Sequence, residues 1–390
     1  MKPLSHRTAN FTDSVIRRMT RVSMKYGAVN LAQGFPDFDP PKPILDRLAE
    51  VAHEDFHQYS ITWGAQNFRE ALAMKQSKLM GMDIDPNREI VVTCGGTEAM
   101  MTAVMTVCNP GDKVVIFSPW YENYGADCIL SEAEPVYVPL VPPTYSFDPN
   151  VLEDAMKQPE VKALILCNPS NPSGKVFIME EMTIIANLAK KYDIYVITDE
   201  VYEHIIYAPH KMVYMASLPG MRERTLSCGS LSKTYSLTGW RLGYVIAPPE
   251  ITERTKKVHD FLTVGAAAPL QEAMVTGLNF GQDYYDDLLA KYTHKRQLMC
   301  EGLDAIGLKH NVPEGAYYIM IDMSEFMQKT GMTSDLDFAE LLCEKVGVGM
   351  VPGSNFFAEN INDYLRIHFA KKDDTLNEAL NRLNDIHNKL

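Results

Sequence analysis

The chain has 390 residues, 46% of them hydrophobic and 22% charged, with a formal net charge of −13. That length exceeds what one hydrophobic core usually absorbs and predicts two domains, or one large domain with an appended lobe. The acidic balance argues against nucleic acid and anionic membrane surfaces as partners, because phosphate binding rests on clustered Lys and Arg.

In chain order, the opening stretch MKPLSHRTANFTDSVIRRM lacks the continuous apolar core of a secretory signal. The Pro-rich GFPDFDPPKP (34–43) predicts a crossing from an N-terminal arm into a large lobe. EIVVTC (89–94) predicts a strand, TEAMMTAVMTVC (97–108) a helix, and KVVIFS (113–118) and ALILCN (163–168) two more strands. EEMTIIANLAKKY (180–192) has apolar residues at helical spacing, and IYVIT (194–198), RTLSCG (224–229) and RLGYVIA (241–247) return to strand. Strands apolar on both faces and separated by helices predict an α/β fold with a mostly parallel sheet flanked by helices. From about residue 284 a long helix, short strands at 316–323 and 363–370 and a helix at 334–346 predict a smaller α+β domain. The expected division is a large domain over 44–284, with 1–43 and 285–390 forming the small domain and its arm.

The seven cysteines are odd in number, scattered, and form no C-x-x-C pair. No disulfide framework or structural metal is expected, and a reducing cytoplasm fits best. No run of 18 or more apolar residues predicts a membrane span.

Ligands in open α/β sheets collect at the C-terminal ends of strands, and four polar clusters fall there. CGGTEAM (94–100) passes from strand through Gly95, Gly96 and Thr97 into a helix, as an anion site or as a plain capped turn. NPSNPSGK (168–175) places Asn171 in a rigid strand-end turn. It lacks the first glycine of a nucleotide-binding loop, since Pro169 stands there. Asp199 follows the apolar run of IYVIT and either caps the next turn or meets a cationic ring nitrogen, with Tyr202 in reach. SLSKTYSLTGWRLGY (230–244) offers Ser230, Ser232, Lys233 and Arg241, two hydroxyls and two cations near a strand end. A lysine beside anion-binding groups suggests Schiff-base chemistry. One cofactor, pyridoxal 5′-phosphate, with its aldehyde, phosphate and pyridine nitrogen, accounts for all four clusters.

With YSITWG (59–64), PWYENY (119–124), TDEVY (198–202) and YLRIHFA (364–370) also in order, the chain resembles the class I aminotransferases of pyridoxal-phosphate fold type I. The resemblance spans about residues 30 to 370, and GFPDF (34–38) is similar to the subgroup that includes kynurenine, methionine and aromatic aminotransferases. It implies that Lys233 carries the cofactor as a Schiff base and moves a proton. It likewise implies that Asp199 pairs with the pyridinium nitrogen and that Tyr202 and Asn171 reach the ring oxygen. Tyr121 would stack on the ring, and Gly95, Gly96, Thr97, Ser230 and Arg241 would cradle the phosphate. Tyr59 is similar to a tyrosine that serves the neighbouring subunit, which implies a homodimer with shared sites. Gly34, Asn171 and Arg366 would hold substrate, Arg366 gripping the α-carboxylate. Leu365, Ile367 and Phe369 alternate with it and predict that it faces away from the core.

The implied activity is a ping-pong transfer of an amino group from a neutral or aromatic L-amino acid to a 2-oxo acid. Phe35, Tyr59, Trp63 and Tyr124 suggest an aromatic-tolerant pocket. Leu262 and Thr97 stand where aspartate-specific relatives would place a cation. A C–S β-lyase on the same scaffold, or an aspartate-type aminotransferase, are the alternatives. A dehydrogenase is disfavoured because no G-x-G-x-x-G follows a strand, and a DNA-binding fusion because no basic region is available.

Overall fold

The computed structural model describes residues 2–9, 11 and 13–390; Met1, Asn10 and Thr12 of the expected N-terminal arm lie outside the described residues. Among the described residues twelve strands follow in order: β1 (Val29–Asn30), β2 (Ile90–Thr93), β3 (Lys113–Ser118), β4 (Glu134–Pro139), β5 (Val161–Cys167), β6 (Tyr195–Asp199), β7 (Thr225–Ser230), β8 (Gly243–Ile246), β9 (Tyr318–Asp322), β10 (Val348–Gly349), β11 (Val351–Pro352) and β12 (Tyr364–His368).

Seven of them form one sheet in the order β2-β8-β7-β6-β5-β3-β4. Only β8 runs against its neighbours. The side-chain period of two buries both faces. Val115, Leu164, Leu166 and Val196 pack on one side, while Val114, Ile116, Ala163, Ile165 and Ile197 pack on the other. Helix Gly96–Val107 lies on the second side, its Ala99 and Ala103 fully buried against the strands. Helix Met179–Lys191 lies on the first, with Glu180 and Glu181 in its first turn and Lys190 and Lys191 in its last, complementing the helix dipole.

Strands β2, β3, β5, β6 and β7 all point one way, so the residues following them gather at one edge. The reversed β8 brings its beginning to that edge too, since Gly243 is paired with both Thr93 and Ser230. A single antiparallel strand thereby sets Arg241, just ahead of it, beside the ends of β2 and β7.

The remaining strands form a three-stranded antiparallel sheet, β11-β12-β9, and a short parallel pair, β1 with β10. Helices Val15–Tyr26 and Gln282–Ile306 share a core with them that includes Met19, Leu31, Tyr292, Met299, Ile319 and Ile367. The predicted helix at 334–346 is found as Asp335–Leu341, continued by a π turn over Leu342–Val346. Among the described residues no helix is long and apolar enough to cross a membrane.

Candidate active site

The strand ends open into a cleft of about 470 Å³ between the large sheet and β12. Gly34, Gly96, Thr97, Tyr121, Asn171, Asp199, Tyr202, Ser230, Lys233, Arg241 and Arg366 all line it. Two expected site residues do not. Gly95 lies just behind, against the Arg241 guanidinium. Tyr59 is 88% exposed and borders a separate surface hollow with Phe56 and Glu272.

Lys233 sits in the short helix Leu231–Thr234, which Ser230 caps by accepting the Ser232 N–H at 3.2 Å. That cap turns Lys233 into the cleft, where its Nζ donates to the Gly34 carbonyl at 3.0 Å. Burial lowers its pKa to about 8; Asp199 opposes that shift, while Arg241 and Arg366 add to it. The amine therefore lies much nearer its free base than an ordinary lysine.

Asp199 is buried at the tip of β6. Its Oδ2 accepts the Tyr124 hydroxyl at 2.6 Å and its Oδ1 the Val201 N–H at 3.3 Å. Burial pushes this carboxyl up, and the two hydrogen bonds and Lys233 hold it down. A cation docked in the cleft would complete its neutralisation. Tyr202 exchanges a 2.8 Å hydrogen bond with Tyr318, whose ring also receives the Arg366 guanidinium at 4.5 Å.

Arg366 faces away from the small core, as its alternation with Leu365 and Ile367 predicts, yet water does not reach it; it is 1% exposed. Its side turns to the large sheet, where Nη1 donates to Asn171 Oδ1 at 2.7 Å and Nη2 to the Ala32 carbonyl at 2.9 Å. Its Nε has no partner among the described residues. An unsatisfied donor on a buried cation marks a place for an anion.

At the other end the chain makes a second anion cradle. Gly95 has φ of +87°, and a Cβ there would collide with the Arg241 guanidinium. A Cβ on Gly243 would come within 2.5 Å of the Gly95 carbonyl carbon. The backbone is thus packed glycine on glycine, with the N–H groups at the start of helix Gly96–Val107 exposed to the cleft. Arg241, itself left-handed at φ 55°, is anchored through Nη1 to the Thr238 carbonyl at 2.9 Å. The Ser232 hydroxyl is buried without a partner among the described residues and lines the same end. Two anion sites, a buried carboxylate and an activated lysine between them fit a phosphorylated pyridine aldehyde and an amino acid.

Some readings of the sequence change. Trp63 does not line the cleft; it lies under Lys256 Nζ at 4.6 Å. Leu262 is a half-exposed surface residue on helix Pro249–Thr263. Tyr124 stands behind Asp199 rather than serving only as an apolar wall. Tyr318 and Arg17, which line the cleft from the small sheet and the first helix, carried no motif that would have singled them out.

Residues 26–383 match the family model for aminotransferase class I and II. The chain is 33% identical to a methionine aminotransferase of Escherichia coli over 374 residues, covering 96% of each chain. It is 32% identical to kynurenine–oxoglutarate transaminase 1 of Homo sapiens, covering 91% of this chain and 92% of that one. The solved structure of an Escherichia coli methionine aminotransferase superposes with a TM-score of 0.93 at 32% identity, covering 99% of this chain and 100% of that one. An N-succinyldiaminopimelate aminotransferase from Mycobacterium tuberculosis gives 0.93 at 33% identity, covering 98% and 99%.

Proposed function

The chain belongs to the class I and II aminotransferase family, and from that premise we propose that it moves amino groups from neutral or aromatic L-amino acids to a 2-oxo acid. Enzymes of this family use pyridoxal 5′-phosphate, which when bound acts as an electron sink for charge developing at the substrate Cα. Amino acid and 2-oxo acid are accordingly the substrates.

Arg241, Ser230, Ser232 and the Gly95–Gly96–Thr97 turn hold the phosphate. Asp199, supported by Tyr124, keeps a proton on the ring nitrogen, and Tyr202 and Asn171 reach the ring oxygen. Tyr121 covers the ring face. Arg366 fixes the substrate carboxylate as a bidentate pair, with Gly34 beside it against Tyr318. Lys233 would hold the cofactor's aldehyde, and as a free amine it would move the proton at the substrate Cα. The single observation that carries this reading is Lys233, half-buried in a cleft that Arg241 and Arg366 also line, with its Nζ on the Gly34 carbonyl at 3.0 Å.

The donor class rests on Ile16, Phe35, Met100 and Tyr121, which give the cleft apolar walls, and on the names of the relatives. The same reading divides the chain into a large domain over 44–284 and a small one from 1–43 and 285–390. It also makes the enzyme a cytoplasmic homodimer. Tyr59, Ile61, Phe261, Leu262 and Val264 support the dimer. All are exposed, and their two segments are tied together through His259 Nε2 and the Thr62 carbonyl at 2.9 Å. Such a patch is costly to leave in water.

A half-reaction screen tests the reading. The cofactor-loaded protein is mixed with single amino acids while its visible band is followed. Methionine and aromatic donors are expected to bleach the band faster than aspartate, and Lys233→Ala to abolish turnover. Faster conversion by aspartate, or a fully active Lys233→Ala protein, would overturn it.

A further inference from the structure

Four cations line the cleft: Lys233, Arg241, Arg366 and Arg17. The first three have places in the chemistry above. Arg17 has none, and its surroundings set it apart.

Helix Val15–Tyr26 carries three arginines in its first two turns. Arg18 pairs with Glu340 at 2.5 Å and Arg21 with Asp13 at 3.1 Å, both away from the cleft. Arg17 has no ion-pair partner among the described residues, although it is the one that lines the cleft. The helix is held at that mouth by Ser14, one turn before Arg17 on the same face, whose hydroxyl donates to Glu122 Oε1. Glu122 and Asp199 are the acids that line the cleft. Asp199 is engaged deep in the site by Tyr124 and Val201. Glu122 is engaged by neutral donors, Ser14 on one oxygen and Asn355 Nδ2 at 3.3 Å on the other. A solvated guanidinium on an anchored helix end therefore lines the cleft beside its apolar walls with its donors unspent.

We infer that Arg17 is a specificity-determining residue that takes the distal carboxylate of a dicarboxylic 2-oxo acid acceptor. The inference rests on the aminotransferase reading and deepens it. A ping-pong enzyme with a neutral donor must seat two unlike side chains in one pocket. A buried unpaired cation would bar the neutral one, because leaving it without an anion costs too much. Arg17 is exposed, so it keeps its hydration while an apolar donor occupies the pocket. When the acceptor arrives with a second carboxylate, the same planar fork can receive it bidentately. Arg366 holds the common α-carboxylate in both half-reactions, and Arg17 acts in one.

The test uses the enzyme in its amine-loaded form, reacted in single turnovers with 2-oxoglutarate and with 2-oxo-4-methylpentanoate. The ratio of kcat/KM for the dicarboxylate over the neutral acceptor is expected to fall roughly tenfold in Arg17→Gln, with Arg17→Lys intermediate. Binding of unreactive glutarate, followed by intrinsic fluorescence, is expected to weaken by a similar factor and to lose part of its salt dependence. An unchanged ratio, or an equal loss with both acceptors, would overturn the role of Arg17, the latter pointing to a merely structural helix. These outcomes are separate from the donor reading. A parent enzyme that bleaches with aspartate but not with methionine or aromatic donors would sink that reading, whatever Arg17 does.

Discussion

A half-buried amine in a cleft meets opposing demands. Lys233 loses solvation, which favours its neutral form, while Asp199 favours the ammonium and Arg241 and Arg366 disfavour it. Burial wins, and the pKa falls to about 8. At pH 7 such an amine is ~10% unprotonated, against ~0.03% for an ordinary lysine at 10.5. The sign is therefore definite: reactivity rises with pH and levels off above 8, more than two units before exposed lysines. Acetylation of the cofactor-free protein, mapped by peptide mass spectrometry, is expected to show a midpoint near pH 8 at Lys233. Asp199→Asn should move the midpoint lower, because the carboxylate that favours the ammonium is gone. A midpoint with the bulk of the lysines would refute the burial argument.

Among the elements, the turn from β2 into helix Gly96–Val107 has a steric requirement that bears directly on the site. Gly95→Ala adds a methyl at a left-handed φ and drives it into Arg241, whereas Gly27→Ala adds one at φ +60° with nothing within 4 Å. Gly27→Ala, at an αL position, should lose about 1 kcal/mol of stability to backbone strain, and Gly95→Ala, with ψ of 171° in a region nearly reserved for glycine, more than that. Only Gly95→Ala should also release pyridoxal phosphate on gel filtration and lose the thermal protection given by inorganic phosphate. Equal behaviour of the two variants would show that the turn needs conformation alone.

This turn was readable in the sequence because Gly-Gly-Thr between a β-branched run and a helical pattern has few other uses. The strands readable for the same reason were those buried on both faces. β4 was not, since Glu134, Pro135 and Pro139 break the apolar run; at the sheet edge a missing N–H is tolerated, and pairing with β3 overrides the local signal. Asp199 and Lys233 stood out through their positions at strand ends. Tyr318 and Arg17 did not, because what makes them site residues is the approach of β9 and the first helix to one opening. Local pattern carries no information about such meetings. Trp63 shows the converse, an aromatic that pattern assigns to a pocket and packing assigns to Lys256.

At the scale of the whole molecule, the exposed Tyr59 poses the remaining question. It stands clear of its own chain's cleft, in a hollow bordered by other exposed apolar groups. In the proposed two-fold dimer each Tyr59 would enter the partner's site, since an isologous interface places the same residue in both. Mass alone is a weak check; a species at twice 43.9 kDa shows association without showing shared sites. Mixing two inactive or impaired variants is sharper. In a hybrid of Lys233→Ala with Tyr59→Phe, one of the two sites combines the intact lysine of one chain with the intact tyrosine of the other. Random reassortment of equal amounts should therefore restore about a quarter of the sites to parental activity. If Tyr59 served only its own chain, every site in the mixture would carry one lesion, and reassortment would restore nothing. Recovery after dissociation and reassembly, absent when each variant is treated alone, is the expected result.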